Sequence, residues 1–209
     1  MVLNCTNYVL SLYRQLNNQG EKMIIFVGGL VGAGKSTVAR LLAEHFNLYY
    51  YDVDEVKKVV YKQDPDFDHN MQHGIPFKDS TRIKVYDKVV DDLKQLSQTH
   101  ECIVVDETLH KRNLRRRLFA AAEDYFDGYF VIWVKADEAV IKSRLAGRQR
   151  QGHILKDAMA MYNTMMAEFE KFEQNVLVIR NNQHIDTTMA ELQRFFAAMF
   201  RFSRLQGKS

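Results

Sequence analysis

The sequence has few cysteines and no long apolar run. Its 209 residues include only two cysteines, Cys5 and Cys102, which lie far apart. This spacing argues against a disulfide framework and against a zinc site. No stretch approaches the roughly 20 apolar residues that span a bilayer, and the N-terminal segment lacks the basic and apolar regions of a signal peptide. We therefore expect a cytoplasmic protein with no membrane partner.

The sequence also lacks a large excess of charge of either sign. Its 29 basic and 26 acidic side chains give a formal net charge of +3, which by itself does not indicate a nucleic-acid-binding protein. The hydrophobic content of 46% is typical of an ordinary globular domain. Because no internal repeat or low-complexity linker divides the chain, residues 1–209 are predicted to form a single domain.

Proline is scarce, and both prolines fall in one polar stretch near residues 62–80. Elsewhere, strand-like and helix-like segments alternate, which is typical of βαβ units around a parallel sheet. The expected fold is therefore α/β, with a five-stranded parallel sheet. Strands are predicted at residues 23–28, 48–52, 102–106, 129–135 and 176–180. Helices are predicted at residues 1–20, 35–46, 53–62, 80–98, 112–125, 137–148, 156–173 and 186–203.

A glycine-rich motif follows the first predicted strand and precedes a predicted helix. Residues 29–36 match the Walker A pattern G-x-x-x-x-G-K-[ST]. Its glycines let backbone N–H groups face phosphate oxygens, and the following helix adds its positive end. Lys35 is expected to reach the β- and γ-phosphates of a nucleotide, and the Ser36 hydroxyl to bind Mg²⁺. The predicted nucleotide-binding residues are Gly29, Leu30, Val31, Gly32, Ala33, Gly34, Lys35 and Ser36.

Two aspartates, Asp52 and Asp54, follow the second predicted strand. Ligands of open parallel sheets bind beyond the carboxyl ends of the strands, where a carboxylate can accept the proton of a hydroxyl during phosphoryl transfer. Asp54 is the candidate for this catalytic base, and Asp52 is a candidate to arrange Mg²⁺ through bound water. The alternative is that either aspartate caps the helix that begins near Glu55.

Two acidic residues, Asp106 and Glu107, end the third predicted strand. An apolar strand that ends in an acidic residue is the Walker B arrangement, in which an aspartate holds magnesium or its water shell. The pattern is common by itself and gains weight from the Walker A motif upstream. We favour Asp106 over Glu107 as the magnesium residue.

Two groups of basic residues follow later in the chain. Arg144 and Arg148 share a helix face, where guanidinium groups stabilise charge on a transferring phosphoryl group; a solvated basic face is the alternative. The cluster at residues 111–117 begins a predicted helix, although cations are unfavourable at a helix N-terminus. This misfit indicates an anionic partner for Arg115 or Arg116, with a plain exposed helix start as the alternative.

Two other segments are expected to shape the site. Residues 62–80 are predicted to cover the acceptor pocket and to set substrate choice. His69 and His73, within this insert, lack a third ligand and a clear helix signal, so we do not expect a metal site there. Phe169 and Phe172 are expected on the core face of an amphipathic helix.

With these motifs assembled, the chain resembles the small P-loop kinases over residues 23–182. This group includes the polynucleotide kinase 5′-kinase domain, the zeta toxins, the gluconate- and shikimate-kinase-like enzymes and AAA-type ATP-binding kinase-like proteins. The resemblance implies a P-loop NTPase three-layer α/β/α fold with a nucleoside-kinase-like lid at about residues 148–156. The matching stretches are Gly29 to Thr37, Asp54 to Lys57, Asp106 to Thr108 and Arg144 to Arg148.

The same resemblance implies roles for individual residues. Asp54 matches the catalytic base, Arg144 and Arg148 match the lid arginines, and Thr37 matches a residue that touches the α-phosphate. Lys57 stands where the family usually has an arginine. Because lysine is a point charge rather than a planar fork, bidentate recognition of a 3′-phosphate is not expected here.

The sequence therefore predicts an ATP- and Mg²⁺-dependent phosphotransferase. Its γ-phosphoryl acceptor is expected to be a hydroxyl of a small metabolite, a nucleoside or a polynucleotide end. A zeta-toxin-like sugar-nucleotide kinase and a non-catalytic ATP-binding switch are the alternatives. The chain has no N-K-x-D guanine signature, which argues against a GTPase.

Overall fold

A computed structural model describes residues 22–73, 75–150, 158–174 and 176–182, together with residues 187 and 190. Within these residues the chain forms five strands and seven helices. The strands are β1 (Met23–Gly28), β2 (Tyr49–Asp52), β3 (Cys102–Asp106), β4 (Gly128–Lys135) and β5 (Leu177–Arg180). The helices are α1 (Lys35–Phe46), α2 (Val53–Tyr61), α3 (Phe67–His73), α4 (Asp79–Leu96), α5 (Arg112–Tyr125), α6 (Glu138–Arg150) and α7 (Ala158–Ala167).

The five strands form one parallel sheet in the order β2-β3-β1-β4-β5. Strand β1 lies at its centre, and all six of its residues are buried. Ile24 and Phe26 belong to a core with α4, α5 and α6, whereas Ile25 and Val27 belong to a second core with α1. Because successive side chains of a strand point to opposite faces, helices cover both faces of the sheet. The architecture is the expected three-layer α/β/α.

The register of the sheet brings the ends of three strands together. Asp106, the last residue of β3, is paired with Asp52 on β2 and with Val27 on β1. The glycine-rich loop leaves β1 at this same edge and runs into α1. The predicted phosphate loop and the two predicted acidic strand ends therefore meet at the carboxyl edge of the sheet.

Two predictions about local structure are wrong. Residues 62–80 contain the short helix α3, although no clear helix signal is present in this part of the sequence. The helix predicted at residues 156–173 ends at Ala167. Beyond it, the Glu170 N–H donates to the carbonyl of His110, so this segment bonds to the loop after β3 instead of continuing its own helix. Phe169 and Phe172 still reach the core, each with its ring centroid 5.2 Å from that of Trp133.

Some predictions fall outside the described residues. These are the helices at residues 1–20 and 186–203 and most of the lid at 148–156. In the described ranges, no helix combines the length and the apolar character needed to cross a bilayer.

Candidate active site

The glycine-rich loop has a backbone that only glycine adopts without strain at two positions. Gly32 and Gly34 have φ angles of 81° and 89°, in the left-handed region. A Cβ at Gly34 would also collide with the side chain of Asn181. Gly34 is the N-cap of α1, and the first turn of that helix contains no acidic residue. The N–H groups and the positive end of α1 are therefore available to an anion.

Lys35 is the point at which the loop meets the acidic strand ends. Its Nζ donates to Asp106 Oδ1 at 2.8 Å and lies 3.3 Å from Ser36 Oγ. The same nitrogen lies 3.9 Å from Asp54 Oδ2. The Lys35 side chain is only 11% exposed and that of Asp106 is completely buried. The two residues predicted to bind Mg²⁺, Ser36 and Asp106, and the predicted base Asp54 therefore surround the Lys35 ammonium group.

Asp106 is held from its other side by a tyrosine. The Tyr50 hydroxyl donates to Asp106 Oδ2 at 2.9 Å. Burial, reinforced by the nearby Asp106 carboxylate, raises the pKa of Tyr50 well above its ordinary value. The Arg40 guanidinium lies 5.4 Å from the centre of the Tyr50 ring and 3.7 Å from Asp52 Oδ2. The sequence analysis did not assign Tyr50 or Arg40, although Tyr50 is two residues before Asp52 on β2.

The two aspartates after β2 have different roles in the local structure. Asp52 Oδ1 accepts the Asp54 N–H at 2.9 Å and caps α2, so the predicted capping role belongs to Asp52. The Asp54 carboxylate faces lysines instead, with Oδ1 2.9 Å from Lys57 Nζ. The positive charge of Lys57, with a further contribution from Lys35, holds the pKa of Asp54 well below its usual range. Asp54 is therefore ionised at neutral pH.

Glu107 is a second buried carboxylate of the site, and it contacts Lys57. Its Oε2 lies 2.6 Å from Lys57 Nζ, and its Oε1 accepts the Tyr86 hydroxyl at 2.9 Å. Burial acts to lower the pKa of Lys57, but the Asp54 and Glu107 carboxylates outweigh it and raise that pKa well above the ordinary value. Glu107 was the less favoured of the two acidic residues that follow β3, and Tyr86 was not assigned. The sequence signal for a site role of Glu107 was its position directly after Asp106.

Arg144 lies against the glycine-rich loop, as expected for a residue near a bound phosphate chain. Its guanidinium is 3.4 Å from the Gly32 carbonyl and 3.3 Å from the Ala33 carbonyl. Asn181 follows β5, is buried, and donates to the Ala33 carbonyl at 2.9 Å. Asn181 was not assigned from the sequence, although polar residues at strand ends are candidates for such sites. The side chain of Arg148 lies outside the described residues, so its role stays a prediction.

The basic cluster at the start of α5 contacts the chain's own residues. Arg115 is 1% exposed, and its guanidinium donates to the carbonyls of Glu170 and Lys171 at 2.9 and 2.6 Å. Arg116 is paired with Glu173 at 2.8 Å. The Arg112 N–H donates to Glu170 Oε2 at 2.7 Å, so a carboxylate lies at this helix N-terminus. Arg115 is therefore held by the chain's own carbonyls, and a substrate contact of Arg116, which is 62% exposed, stays a prediction.

A buried histidine, His110, lies near the acceptor side of the site. It is 6% exposed, and neither ring nitrogen makes a hydrogen bond. Burial lowers its pKa to about 4, so the ring is neutral at pH 7. Its Nε2 is 3.5 Å from Glu168 Oε2, an oxygen that also lies 3.4 Å from Arg82 and 3.3 Å from Lys111.

No preformed cluster of metal ligands accompanies this site. Across the described parts of the chain, no three His, Cys, Asp or Glu side chains are grouped to hold a metal ion. The rings of His69 and His73 lie 4.4 Å apart, but a third ligand is not among the described residues. The expectation that the two histidines do not form a metal site stays a prediction.

The comparisons with known proteins agree on family and fold. A family described as "AAA domain" matches residues 25–174. A sugar kinase from Janibacter sp. HTCC2649 is 18% identical, with a TM-score of 0.63 over 85% of this chain and 95% of its own. A gluconokinase from Sinorhizobium meliloti 1021 is 21% identical, with a TM-score of 0.62 over 90% and 97%. No curated protein matches the sequence.

A third similar structure is the APS kinase of Mycobacterium tuberculosis in complex with AMPPNP and APS. It is 16% identical, with a TM-score of 0.57 over 85% of this chain and 98% of that one. At these identities the likeness shows the fold: the chain has the P-loop NTPase three-layer α/β/α fold. The resemblance to small P-loop kinases that the motifs indicated is confirmed.

Proposed function

Because the chain belongs to the AAA domain family and has the fold of P-loop kinases, we propose that it is an ATP- and Mg²⁺-dependent kinase. It transfers the γ-phosphoryl group to a hydroxyl of a small metabolite, a nucleoside or a polynucleotide end. The observation that carries the proposal is the position of Asp54, whose ionised carboxylate lies 3.9 Å from the Walker A lysine. A protein that only binds ATP has no need for a carboxylate there.

The loop and Lys35 bind the triphosphate. The Gly32 and Gly34 conformations and the start of α1 favour N–H groups that face phosphate oxygens. In the nucleotide-free protein Lys35 is paired with Asp106. On ATP binding, the ammonium turns from Asp106 toward the β- and γ-phosphates, because these carry more negative charge than the carboxylate. Arg144, beside the loop, stabilises charge on the phosphates.

Ser36 and Asp106 have the chemistry required to hold Mg²⁺. Their oxygens lie 3.3 and 2.8 Å from the Lys35 ammonium, so a cation already occupies the point between them. Hard oxygen ligands suit Mg²⁺, which typically takes one or two protein ligands and completes its shell with phosphates and water. Asp52, beside Asp106 in the sheet, reaches the ion through water. The chemistry that Mg²⁺ supplies is neutralisation of the β- and γ-phosphate charge.

Asp54 orients the acceptor hydroxyl and accepts its proton. Its low pKa makes it a weak base, but phosphoryl transfer depends chiefly on positioning and on charge stabilisation. The carboxylate therefore acts first as a hydrogen-bond acceptor that aims the hydroxyl oxygen at the γ-phosphorus. The proton moves to Asp54 as the new phosphate ester forms.

An ATP-to-ADP assay over a panel of acceptors tests the proposal. The panel contains D-gluconate, hexoses, nucleosides, sugar nucleotides, APS and an oligonucleotide with a 5′-hydroxyl. We expect at least one of them to raise ADP formation above the rate with water alone. Tight ATP binding without any acceptor-dependent turnover would favour the non-catalytic switch instead.

The variant Asp54→Asn tests the residue that carries the proposal. Loss of general-base catalysis lowers turnover by about 10²–10⁴, or roughly 3–5 kcal/mol at 1.36 kcal/mol per decade. The affinity for ATP is expected to stay within about twofold, since Asp54 lies on the acceptor side. Asp91→Asn, an exposed change on α4, is the control. Unchanged turnover in Asp54→Asn would leave Asp54 with a structural role only.

A further inference from the structure

A mostly buried lysine is shared by two carboxylates beside the candidate base. Lys57 Nζ lies 2.9 Å from Asp54 Oδ1 and 2.6 Å from Glu107 Oε2. The Lys57 side chain is 18% exposed and that of Glu107 is 1% exposed. On the far side, the Tyr86 hydroxyl donates to Glu107 Oε1 at 2.9 Å. A continuous chain of polar contacts therefore runs from α4, through the end of β3, to Asp54 on α2.

The burial of Glu107 fixes the place of the lysine. A buried carboxylate is tolerated when it is paired and hydrogen-bonded, and Lys57 is the cation that lies next to this one. If Lys57 turned toward an anionic group on a substrate, the buried Glu107 carboxyl would lose the ammonium beside Oε2, and among the described residues the Tyr86 hydroxyl would be its remaining side-chain partner. The free-energy penalty of leaving a buried carboxyl unpaired therefore keeps Lys57 between Asp54 and Glu107.

The neighbouring lysine shows what an unconstrained lysine on the same helix does. Lys58 is 62% exposed and pairs with Glu55, which is 65% exposed, at the surface of α2. Lys57 and Lys58 are adjacent and of the same type, but only Lys57 reaches the buried Glu107. The difference between them is therefore one of position, which makes Lys58 a matched control.

We propose that Lys57, anchored by Glu107, is a positioning residue that holds the Asp54 carboxylate in place for the acceptor hydroxyl, and that it does not bind an anionic group of the acceptor. This inference rests on the proposed kinase function. It gives Lys57 a different task from that of a fork-shaped arginine, which recognises phosphate directly. It also gives Glu107 a task distinct from that of Asp106, which pairs with Lys35.

The test compares the variants K57M, E107Q, the double variant K57M/E107Q, and the control K58M. Steady-state kinetics use whichever acceptor of the panel the wild-type protein phosphorylates. We expect K57M to lower kcat by about 10- to 100-fold, because small misplacements of a reacting group are that costly. The KM for the acceptor and for ATP should change by less than about twofold. E107Q should also lower kcat, and the kcat of the double variant should be no lower than that of K57M alone.

A spectroscopic measurement without substrate tests the contact itself. In the free protein, a lysine ammonium shared by two carboxylates exchanges its protons slowly, so it should give a resolved signal in ¹H–¹⁵N spectra of lysine Nζ. The signal should be absent in K57M, broadened in E107Q and in Asp54→Asn, and unchanged in K58M. If E107Q reduces the folded fraction, Tyr86→Phe removes one donor to Glu107 and gives the same comparison with less disturbance.

The possible failures can be told apart. A wild-type protein that phosphorylates none of the acceptors overturns the proposed function, and this inference falls with it. An active wild type in which K57M raises the acceptor KM at unchanged kcat overturns the inference alone, because Lys57 would then bind the acceptor. Independent, additive losses in K57M/E107Q would overturn it as well.

Discussion

Replacing Lys35 by methionine is expected to destabilise the nucleotide-free protein in addition to abolishing ATP binding. Methionine has nearly the same length but lacks the ammonium that lies 2.8 Å from Asp106 Oδ1. Asp106 is completely buried, and among the described residues the Tyr50 hydroxyl would be its remaining side-chain partner. Removal of one partner of a buried ion pair costs about 3–5 kcal/mol, which is a large part of a typical domain stability of about 5–15 kcal/mol.

Urea unfolding without nucleotide measures this loss. The single tryptophan, Trp133, is buried in β4, so its fluorescence reports on the core. With a slope of about 2 kcal/mol per molar urea, the midpoint of Lys35→Met should fall by about 2 M. The control Lys58→Met removes an exposed pair with Glu55 and should leave the unfolding midpoint close to that of the wild type, because exposed ion pairs contribute little.

A second variant identifies the cause of the loss. Adding Asp106→Asn to Lys35→Met removes the stranded charge, so part of the lost stability should return. The reasoning is refuted if Lys35→Met unfolds within about 1 kcal/mol of the wild type, or if the added Asp106→Asn change makes the protein still less stable. Either result would mean that Asp106 does not depend on the Lys35 ammonium in the free protein.

Three further changes test other parts of the structure. Burial lowers the pKa of His110 to about 4, whereas a histidine in the unfolded chain titrates near pH 6.5. As the pH falls from about 6.5 toward 4, the unfolded state binds a proton that the folded state does not, so the free energy of unfolding falls by about 3 kcal/mol. The unfolding free energy of His110→Gln, measured with urea, should therefore decrease less than that of the wild type over this pH range. Parallel pH profiles of the two proteins would contradict this prediction. Gly34→Ala, at a φ of 89°, should weaken ATP binding at least about tenfold by calorimetry, whereas Gly147→Ala, with open space around it, should not. Glu170→Ala removes the side-chain oxygen that accepts the Arg112 N–H and should lower the unfolding free energy by about 1 kcal/mol. An unchanged value would mean that Glu170 does not cap α5.

The sheet and the phosphate loop could be predicted because their signals are local. Strand β1 is buried on both faces, so its residues form an unbroken apolar run that needs no tertiary information to recognise. Gly34 has a positive φ angle, and it is one of the two glycines that the Walker A pattern fixes; Gly32, also at positive φ, lies at a variable position of the pattern. Asp106 could be found because a charge that ends an apolar strand lies at the ligand-binding edge of a parallel sheet.

The contacts that sequence reasoning missed join residues that are distant in the chain. Lys57 and Glu107 meet because Asp106, directly before Glu107, is the register partner of Asp52, which caps the helix that carries Lys57. No pattern in either segment alone specifies that pairing. The sequence alone also does not decide whether Asp52 or Asp54 caps the helix, because both are good capping residues. The choice depends on where α2 begins, and it begins at Val53, so Asp52 is the cap.

The basic start of α5 shows why an anionic partner could be expected from the sequence but not identified. Cations at a helix N-terminus are unfavourable, and the structure does supply an anion there: the Glu170 carboxylate, which accepts the Arg112 N–H. Glu173 pairs with Arg116, and Arg115 binds the backbone carbonyls of Glu170 and Lys171. The Glu170 N–H, which a continued helix would donate to the carbonyl of Met166, donates to the carbonyl of His110 instead. The segment after α7 therefore leaves the helix and places Glu170 and Glu173 against the basic start of α5.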